Sequence, residues 1–431
     1  MPDSIFALAS GAGRAGIGVV RLSGPAAGPA LAALAGTLPS PRTAGLKRLA
    51  WQGVEIDQVL LLWFPAPASF TGEDVAEIHL HGGLAVREAL FAALLALGLR
   101  PAEPGEFSRR AVENGKLDLT RAEAIADLVD AETQGQRLAA LRQYDGALAD
   151  LYEGWRAELI MALGQAEAAI DFSDDGVGEA EFDAARRTAM HLSQQIKAHL
   201  DDSGRGEALR EGVRLAIIGP PNAGKSSLLN ALAKRDVAIV SDIAGTTRDV
   251  IEVRLDLGGV LVLVSDTAGL RDSSDVIESE GVRRALARAR EAHLTLLLLD
   301  GSAADPRAGV PEDVTPDFIV WNKSDLAPHE GISISLKTGA GLDLLQALLQ
   351  QKVQQKFAGP DSINALALTR PRHRAALTEA LTALTHAQDA AEPELLAEDL
   401  RLAMRAVGRI TGRVDVEEVL DFVFRGFCIG K

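Results

Sequence analysis

Eight residues constrain this chain more than any others. Gly219, Pro220, Pro221, Asn222, Ala223, Gly224, Lys225 and Ser226 spell G-x-x-x-x-G-K-S/T between the apolar run Leu215 to Ile218 and a helical stretch that begins at Ser226. A strand that turns through glycines into a helix aims successive backbone N–H groups at one point, and the helix N-terminus adds positive potential there. Such a loop suits a phosphate chain: Lys225 spans β- and γ-phosphates, and Ser226 offers its hydroxyl to Mg2+. Taken alone, the motif is also compatible with a Gly-rich strand-to-helix turn that holds nothing.

Three further segments follow in the order that a guanine-nucleotide switch requires. Asp266, Thr267, Ala268 and Gly269 end the run Val260 to Val264, which puts Asp266 near Mg2+ and the Gly269 N–H near the γ-phosphate. Asn322, Lys323, Ser324 and Asp325 follow the run Phe318 to Trp321. An Asp carboxylate there accepts both N–H donors on the Watson–Crick side of guanine, a pair that adenine lacks. Ser335, Leu336 and Lys337 offer a backbone contact to the guanine oxygen, and Gly245, Thr246, Thr247, Arg248 and Asp249 form a switch whose Thr hydroxyl reaches Mg2+. The residue after Gly269 is Leu270, where Ras-type enzymes place a water-orienting Gln. Another group must orient water, and the downstream acids Asp272, Asp275, Glu278 and Glu280 are the candidates. Each of these taken alone is equally a solvated acid on a helix.

The rest of the chain arranges itself around this unit. With 431 residues, two to four domains are expected. Residues 1–117 alternate β-like runs (Ile17 to Leu22, Val59 to Phe64, Val75 to Leu80) with Gly and Pro and one helical run, Leu84 to Leu97, so they read as an α+β domain. Residues 118–210 take on an Ala, Leu, Glu and Arg texture with helical spacing, ending in a linker-like stretch, Gly204 to Gly212. Residues 211–357 alternate buried-type strands with amphipathic stretches, the pattern of a parallel α/β unit. Residues 358–431 return to helical texture in Arg370 to Ala391, Pro393 to Ile410 and Val416 to Phe424. The two helical blocks are expected to pack together around an inserted α/β P-loop (Ras-like) domain.

Composition narrows the setting. A single cysteine, Cys428, cannot close an internal disulfide or build a Cys-rich zinc site, which favours a reducing compartment. No run of about 18 uncharged apolar residues is present and no basic leader precedes the first apolar run, so a cytoplasmic location with no membrane association is expected. A net charge of -16 argues against indiscriminate nucleic-acid coating, leaving Arg370, Arg372, His373 and Arg374 as a local candidate for RNA contact.

Several weaker signals point elsewhere and are set aside. Gly11 to Gly16 spell G-x-G-x-x-G, but β-like residues follow, where a dinucleotide site needs a helix. Asp171, Ser173, Asp175 and Gly176 begin like a calcium loop whose twelfth position is Phe182. His79 and His81 share one side of a strand with no evident third ligand, which reads as structural.

Taken together these residues resemble the MnmE (TrmE) family of tRNA-modification GTPases, over essentially the whole chain. The resemblance is carried by Asp266 to Leu270 with no Gln, Gly245 to Asp249, the segment Gly105 to Ser108 leading to Asn114 to Asp118, and Phe427 to Lys431. It implies an N-terminal domain that dimerises and binds a tetrahydrofolate derivative (5-formyl- or methylene-tetrahydrofolate) through Arg21, Glu77, Lys116 and Lys431. It implies a nucleotide site of Asn222, Ala223, Gly224, Lys225, Ser226, Ser227, Ser241, Asp242, Ile243, Ala244, Gly245, Thr246, Thr247, Asp266, Thr267, Ala268, Gly269, Asn322, Lys323, Asp325 and Ser335. Within it Ser226 and Thr247 hold Mg2+, and Asn222, Ser241, Ile243 and Thr246 hold K+, which replaces an arginine finger. Glu278, matching the family's water-orienting acid, joins Lys225, Thr247 and Asp266 as the catalytic group. Cys428 matches a terminal cysteine with a candidate role in modification chemistry. Leu336 departs from the usual Ala.

The resemblance further implies a homodimer whose G domains meet across their switches and an MnmG (GidA)-type flavoprotein carrying FAD, joined in a heterotetramer or larger. The shared reaction is carboxymethylaminomethyl modification at carbon 5 of the tRNA wobble uridine. A GTP-gated RNA-binding or ribosome-assembly factor would use the same nucleotide residues without needing Lys116, Lys431 or a folate.

Overall fold

The computed structural model describes residues 3–172, 177–202, 204–235, 237–239, 252–266, 290–308, 310, 315–357, 368–414, 420, 423–424, 426–428 and 430. The chain forms two compact units, one of Met1–Ala126, Gln143–Thr188 and Asp389–Lys431, the other of Asp127–Arg142 and Ala189–Gln388.

The first unit holds β1 (Ile5–Leu8), β2 (Ala15–Ser23), α1 (Ala27–Ala35), β3 (Gly45–Trp51), β4 (Val54–Phe64), β5 (Val75–Gly82), α2 (Leu84–Ala96), β6 (Arg100–Pro101) and α3 (Glu106–Glu113). The three β-like runs read from the sequence lie inside β2, β4 and β5. These strands form one sheet in the order β3-β4-β5-β2-β1-β6, antiparallel except for β1 with β6. Alternation sorts the faces: Val20, Leu22, Ala76, Ile78 and Leu80 join Leu31, Leu34, Leu90 and Leu94 of the two helices in one core. The intervening Arg21, Glu77 and His79 therefore lie on the other face. In α1 the absence of a side chain at Gly28 lets the helix approach Trp63, whose ring would stand 3.0 Å from a Cβ there.

Helices α4 (Leu119–Asp130), α5 (Gln134–Tyr144), α6 (Ala147–Asp171) and α7 (Val177–Leu200) follow. The chain passes from one unit to the other within α4, α5 and α7.

The second unit continues with α8 (Arg205–Glu211), β7 (Val213–Ile218), α9 (Lys225–Ala233), β8 (Glu252–Asp256), β9 (Leu261–Asp266), β10 (Leu294–Asp300), β11 (Phe318–Asn322), β12 (Ile332–Ser333), α10 (Leu342–Phe357) and α11 (Pro371–Asp389). Its sheet runs β12-β11-β10-β7-β9-β8, parallel throughout except for the β8–β9 hairpin. Leu294 to Leu299 are buried without a break, since Leu294, Leu296 and Leu298 join one core and Leu297 and Leu299 another, as in a parallel sheet covered on both faces. One stretch differs from its sequence reading. Gly204 to Gly212 is a seven-residue helix flanked by left-handed glycines, Gly204 at φ +71 and Gly212 at φ +101, and is not an open linker. The two glycines that suggest a linker are this helix's caps.

α12 (Pro393–Thr411) returns to the first unit and packs along α6. Small residues let the backbones approach, with Ala162, Ala166, Ala403 and Ala406 all buried, while Tyr152, Trp155, Leu400 and Ile410 fill the seam. Beyond it, Leu420, Val423, Phe424 and Phe427 close over Leu119 and Ala122. Gly105, at φ +70, sits under this cluster, where a Cβ would come within 2.9 Å of Phe424 and Phe427.

Candidate nucleotide-binding site

β7 delivers the chain to the phosphate loop at the middle of the second unit's sheet, between β9 and β10. The loop is shaped by positions that exclude side chains. A Cβ at Gly219, φ +149, would fall on the Leu298 carbonyl oxygen, and one at Gly224, φ +101, would lie 2.5 Å from Asn322 Nδ2. Asn222 also takes a left-handed conformation, φ +62. Ala223 is fully buried beneath the loop. Gly224 caps α9, so Lys225, Ser226 and Ser227 form its first turn, where helix N–H groups lack partners within the helix. Lys225 Nζ donates to the Gly219 and Pro220 carbonyls, 2.8 Å each, which holds the ammonium over the loop. Ser226 and Ser227 are exposed.

The base side is built by β10, β11 and the turn after β12. Asn322, at 4% exposure, donates from Nδ2 to the Ala223 carbonyl at 2.8 Å and accepts from the Leu336 N–H at 3.3 Å, so one buried amide joins the phosphate loop to the base loop. Leu336, the departure noted above, packs its side chain over Gly224, and its N–H is directed to Asn322. Asp325 is exposed and accepts from Ser335 Oγ at 2.7 Å, while Ser335 Oγ also takes the Thr338 N–H at 3.2 Å.

Lys323 is left-handed at φ +63, and its ammonium reaches Asp300 Oδ2 at 2.5 Å. Burial works against the Asp300 charge, but Lys323 and the Ser302 hydroxyl and N–H outweigh it and hold the carboxyl below its usual range. His329 stacks on Trp321 at 4.1 Å and meets the Gly301 carbonyl at 2.7 Å. Asp300, Gly301 and His329 were not among the residues read from the sequence, since nothing in their spacing marks them as supports for Lys323.

Thus Asn222 to Ser227, Asn322, Lys323, Asp325 and Ser335 come together at one end of the sheet. Asp266 ends β9 beside Ile217 of β7. Ser241, Asp242, Ile243, Ala244, Gly245, Thr246, Thr247, Thr267, Ala268, Gly269, Glu278 and Lys431 lie outside the described residues. The Arg370 to Arg374 cluster turns inward: Arg370 reaches Asp127 at 2.7 Å, Arg374 reaches Asp202 at 2.6 Å, and His373 is fully buried.

Comparison with known proteins bears on the whole chain. A family model described as the MnmE helical domain matches residues 119–428, and one described as the GTP-binding protein TrmE N-terminus matches residues 4–116. The tRNA modification GTPase MnmE of Paramagnetospirillum magneticum is 55% identical over 100% of both chains. Its counterpart from Rhodospirillum rubrum is 53% identical over 100% of this chain and 99% of its own, and that from Methylorubrum populi 55% over 100% and 98%. The chain belongs to the MnmE family of tRNA modification GTPases.

In this MnmE-family chain the first unit presents a second polar site. Arg21 and Glu77 are register partners on β2 and β5, and Arg21 donates from Nε and Nη2 to Glu77 Oε1 at 3.1 and 2.9 Å. The guanidinium lies 5.4 Å from the Phe70 ring and 5.8 Å from that of Phe107. His79 Nε2 stands 3.6 Å from Glu77 Oε2, and His81 Nδ1 is 2.8 Å from Asp57. Lys116 is exposed and lies against Gly72, where a Cβ would meet its Cε at 3.1 Å. Cys428 is exposed, and its carbonyl accepts from the Gly105 N–H at 3.4 Å. The same unit holds an ionic network in which Arg110 ties Glu106, Glu73 and Asp3, and Arg100 ties Glu106 and Asp3. None of this network was read from the sequence. Among the described residues no helix is long and apolar enough to cross a membrane.

Proposed function

We propose that this chain hydrolyses GTP in a Mg2+- and K+-dependent way to drive carboxymethylaminomethyl modification of the tRNA wobble uridine. It would act as a cytoplasmic homodimer with an FAD-carrying flavoprotein partner. The observation that carries the reading is Asn322, whose buried amide joins the phosphate loop to the base loop so that one ligand spans both. The site fits a nucleotide: two positions exclude a Cβ, a lysine lies over the loop, and exposed hydroxyls stand in the first turn of α9.

In this reading Ser226 and Thr247, with Asp266, would hold Mg2+, and Asn222, Ser241, Ile243 and Thr246 would hold K+. When bound, such cations would supply charge neutralisation at the phosphates. Lys225 leaves the Gly219 and Pro220 carbonyls to span the β- and γ-phosphates, Asp325 selects guanine, and Glu278 orients the attacking water. Arg21, Glu77, Lys116 and Lys431 would hold the tetrahydrofolate derivative, since a carboxylate accepts from pterin N–H groups and cationic side chains suit the glutamate tail. The pairing of Arg21 with Glu77 between two aromatic rings is compatible with such a flat, polar ligand. Cys428 is a candidate for the modification chemistry.

GTP turnover in Mg2+, compared in equal KCl and NaCl across protein concentration, tests the reading. Acceleration in K+ that steepens with concentration is expected. Equal slow rates in both salts would return the chain to an externally activated GTPase. Glu278→Ala is expected to leave GTP affinity nearly intact while turnover falls at least about tenfold, roughly 1.4 kcal/mol in barrier, and unchanged turnover would remove Glu278 from the mechanism.

A further inference from the structure

The two candidate switch segments adjoin the two arms of one hairpin. β8 starts at Glu252, just past Gly245 to Asp249, and β9 ends at Asp266, with register pairs from Glu252↔Ser265 to Asp256↔Leu261 binding the arms together. β9 is also paired along its length with β7, the strand that feeds the phosphate loop, from Val213↔Val262 to Ile217↔Asp266 at the open end.

The closed end of the hairpin docks on α5, and every contact lies within the second unit. Thr133 and Gln136 form a reciprocal cap, Gln136 N–H to Thr133 Oγ1 at 3.3 Å and Thr133 N–H to Gln136 Oε1 at 3.2 Å, which fixes where α5 begins. In its first turn the Gly135 N–H, which has no partner within the helix, donates to the Gly259 carbonyl at 3.1 Å. A Cβ on Gly135 would lie on that same oxygen, so the approach requires glycine. The turn that presents it is shaped by Gly258 at φ +71 and Gly259 at φ +90, with Asp256 Oδ1 accepting the Gly259 N–H at 2.6 Å. On β8, Arg254 forms an ion pair with Glu132, just ahead of α5. The base of α5 is itself anchored, since Gln136 Nε2 donates to the Arg210 carbonyl at 2.9 Å and Asp127 holds both Arg210 and Arg370, at 3.0 and 2.7 Å.

We propose that Glu132 and Gly135 are positioning residues for GTP turnover. They grip the closed end of the hairpin so that a shift at its open end, where the switch segments attach, is passed to α5, and so that α5 in turn restrains those segments. Bound along β9 to β7, the hairpin moves as one lever with the edge of the sheet, and a close glycine–glycine approach cannot slide without breaking its hydrogen bond. The inference rests on the GTPase reading and adds a route by which nucleotide state reaches the helical part of the chain.

Hydrogen–deuterium exchange on the full chain, with GDP and with a non-hydrolysable GTP analogue, tests it. In the natural protein the amides of the first turn of α5 and of residues 257–260 are expected to differ at least threefold in rate between the two nucleotides. Gly135→Val is expected to erase that difference and to change kcat at least threefold, with KM and nucleotide affinity within twofold of the natural protein. Glu132→Arg is expected to weaken the response, and adding Arg254→Glu to restore it, a rescue that loss of general stability would not produce. If both nucleotides bind and the exchange of α5 is the same in each, or if the charge swap restores nothing, the lever is wrong. If neither nucleotide binds, the GTPase reading falls and the lever with it.

Discussion

The two polar sites of this molecule are built on different physical plans. The nucleotide site in the second unit is made of backbone: Gly219, Gly224, Asn222 and Lys323 set the path of the chain, and one side chain, Asn322, locks two loops. The Arg21–Glu77 site in the first unit is made of side chains whose partners stand 56 residues apart in sequence, in a unit that also holds the ionic network of Arg100, Arg110, Glu106, Glu73 and Asp3. A backbone-built site has almost no tolerance at its fixed positions, whereas a network shares each charge among several partners.

The difference is tested most severely by Asn322→Ala. It strips partners from the buried Ala223 carbonyl and from the Leu336 N–H at once, and is expected to weaken GTP binding about 30-fold, roughly 2 kcal/mol. Calorimetric titration showing less than a threefold change would mean that the loops hold their places without it. Arg21→Ala should cost less. Glu77 keeps partial solvent access and His79 stands nearby, so the loss of folding stability is expected to stay below about 1 kcal/mol, while the binding of 5-formyltetrahydrofolate proposed for this site is expected to be lost. A large drop in melting temperature would instead make Arg21 a structural member of the sheet.

The smallest effect concerns acid. Burial lowers the pKa of His199 and His293 in the second unit from an ordinary value of 6.5, the positive charges near His293 adding to it. Once the pH falls below 6.5 the unfolded chain takes up protons that the folded unit refuses, so stability declines from there downward. In the first unit the displaced groups are carboxyls. Arg100 and then Arg110 lower Asp3; burial opposes the charges of Asp57 and Glu106, but His81 with the Gln58 N–H, and Arg100 with Arg110, prevail. Their contribution is present above the ordinary carboxyl range near 3.8 to 4.5 and is lost only as pH falls through the depressed folded values. Proteolysis in mild urea, read peptide by peptide, should therefore show the second unit softening first as pH drops from 7.5 to 5. Softening of the first unit ahead of it would break the contrast.

The same difference explains what could be read before the structure. The phosphate loop, the base loop and the parallel strands were legible because each is a local event, a glycine or an apolar run at fixed spacing. The register that places Arg21 opposite Glu77 depends on strand pairing, and the Lys323–Asp300 pair on which loops meet beyond β10 and β11, so neither leaves a signature in spacing. Helix α8 was misread because its two capping glycines look like flexibility when their φ values are unknown. The start of α5 was legible in principle, as Thr133 and Gln136 carry the spacing of a capping box.

The packing of Phe424 and Phe427 over Gly105, Leu119 and Ala122 has a consequence for synthesis on the ribosome. A nascent chain that has emerged through Gln388 already holds every segment of the second unit, but it lacks α12 and the aromatic pair that close the first. Helices α4 and α6, made early, thus wait longest for their last neighbours, with the seam of α6 bare to water in the interval. The order in which residues leave the exit tunnel, and not their stability alone, decides which half of the molecule first needs protection from aggregation.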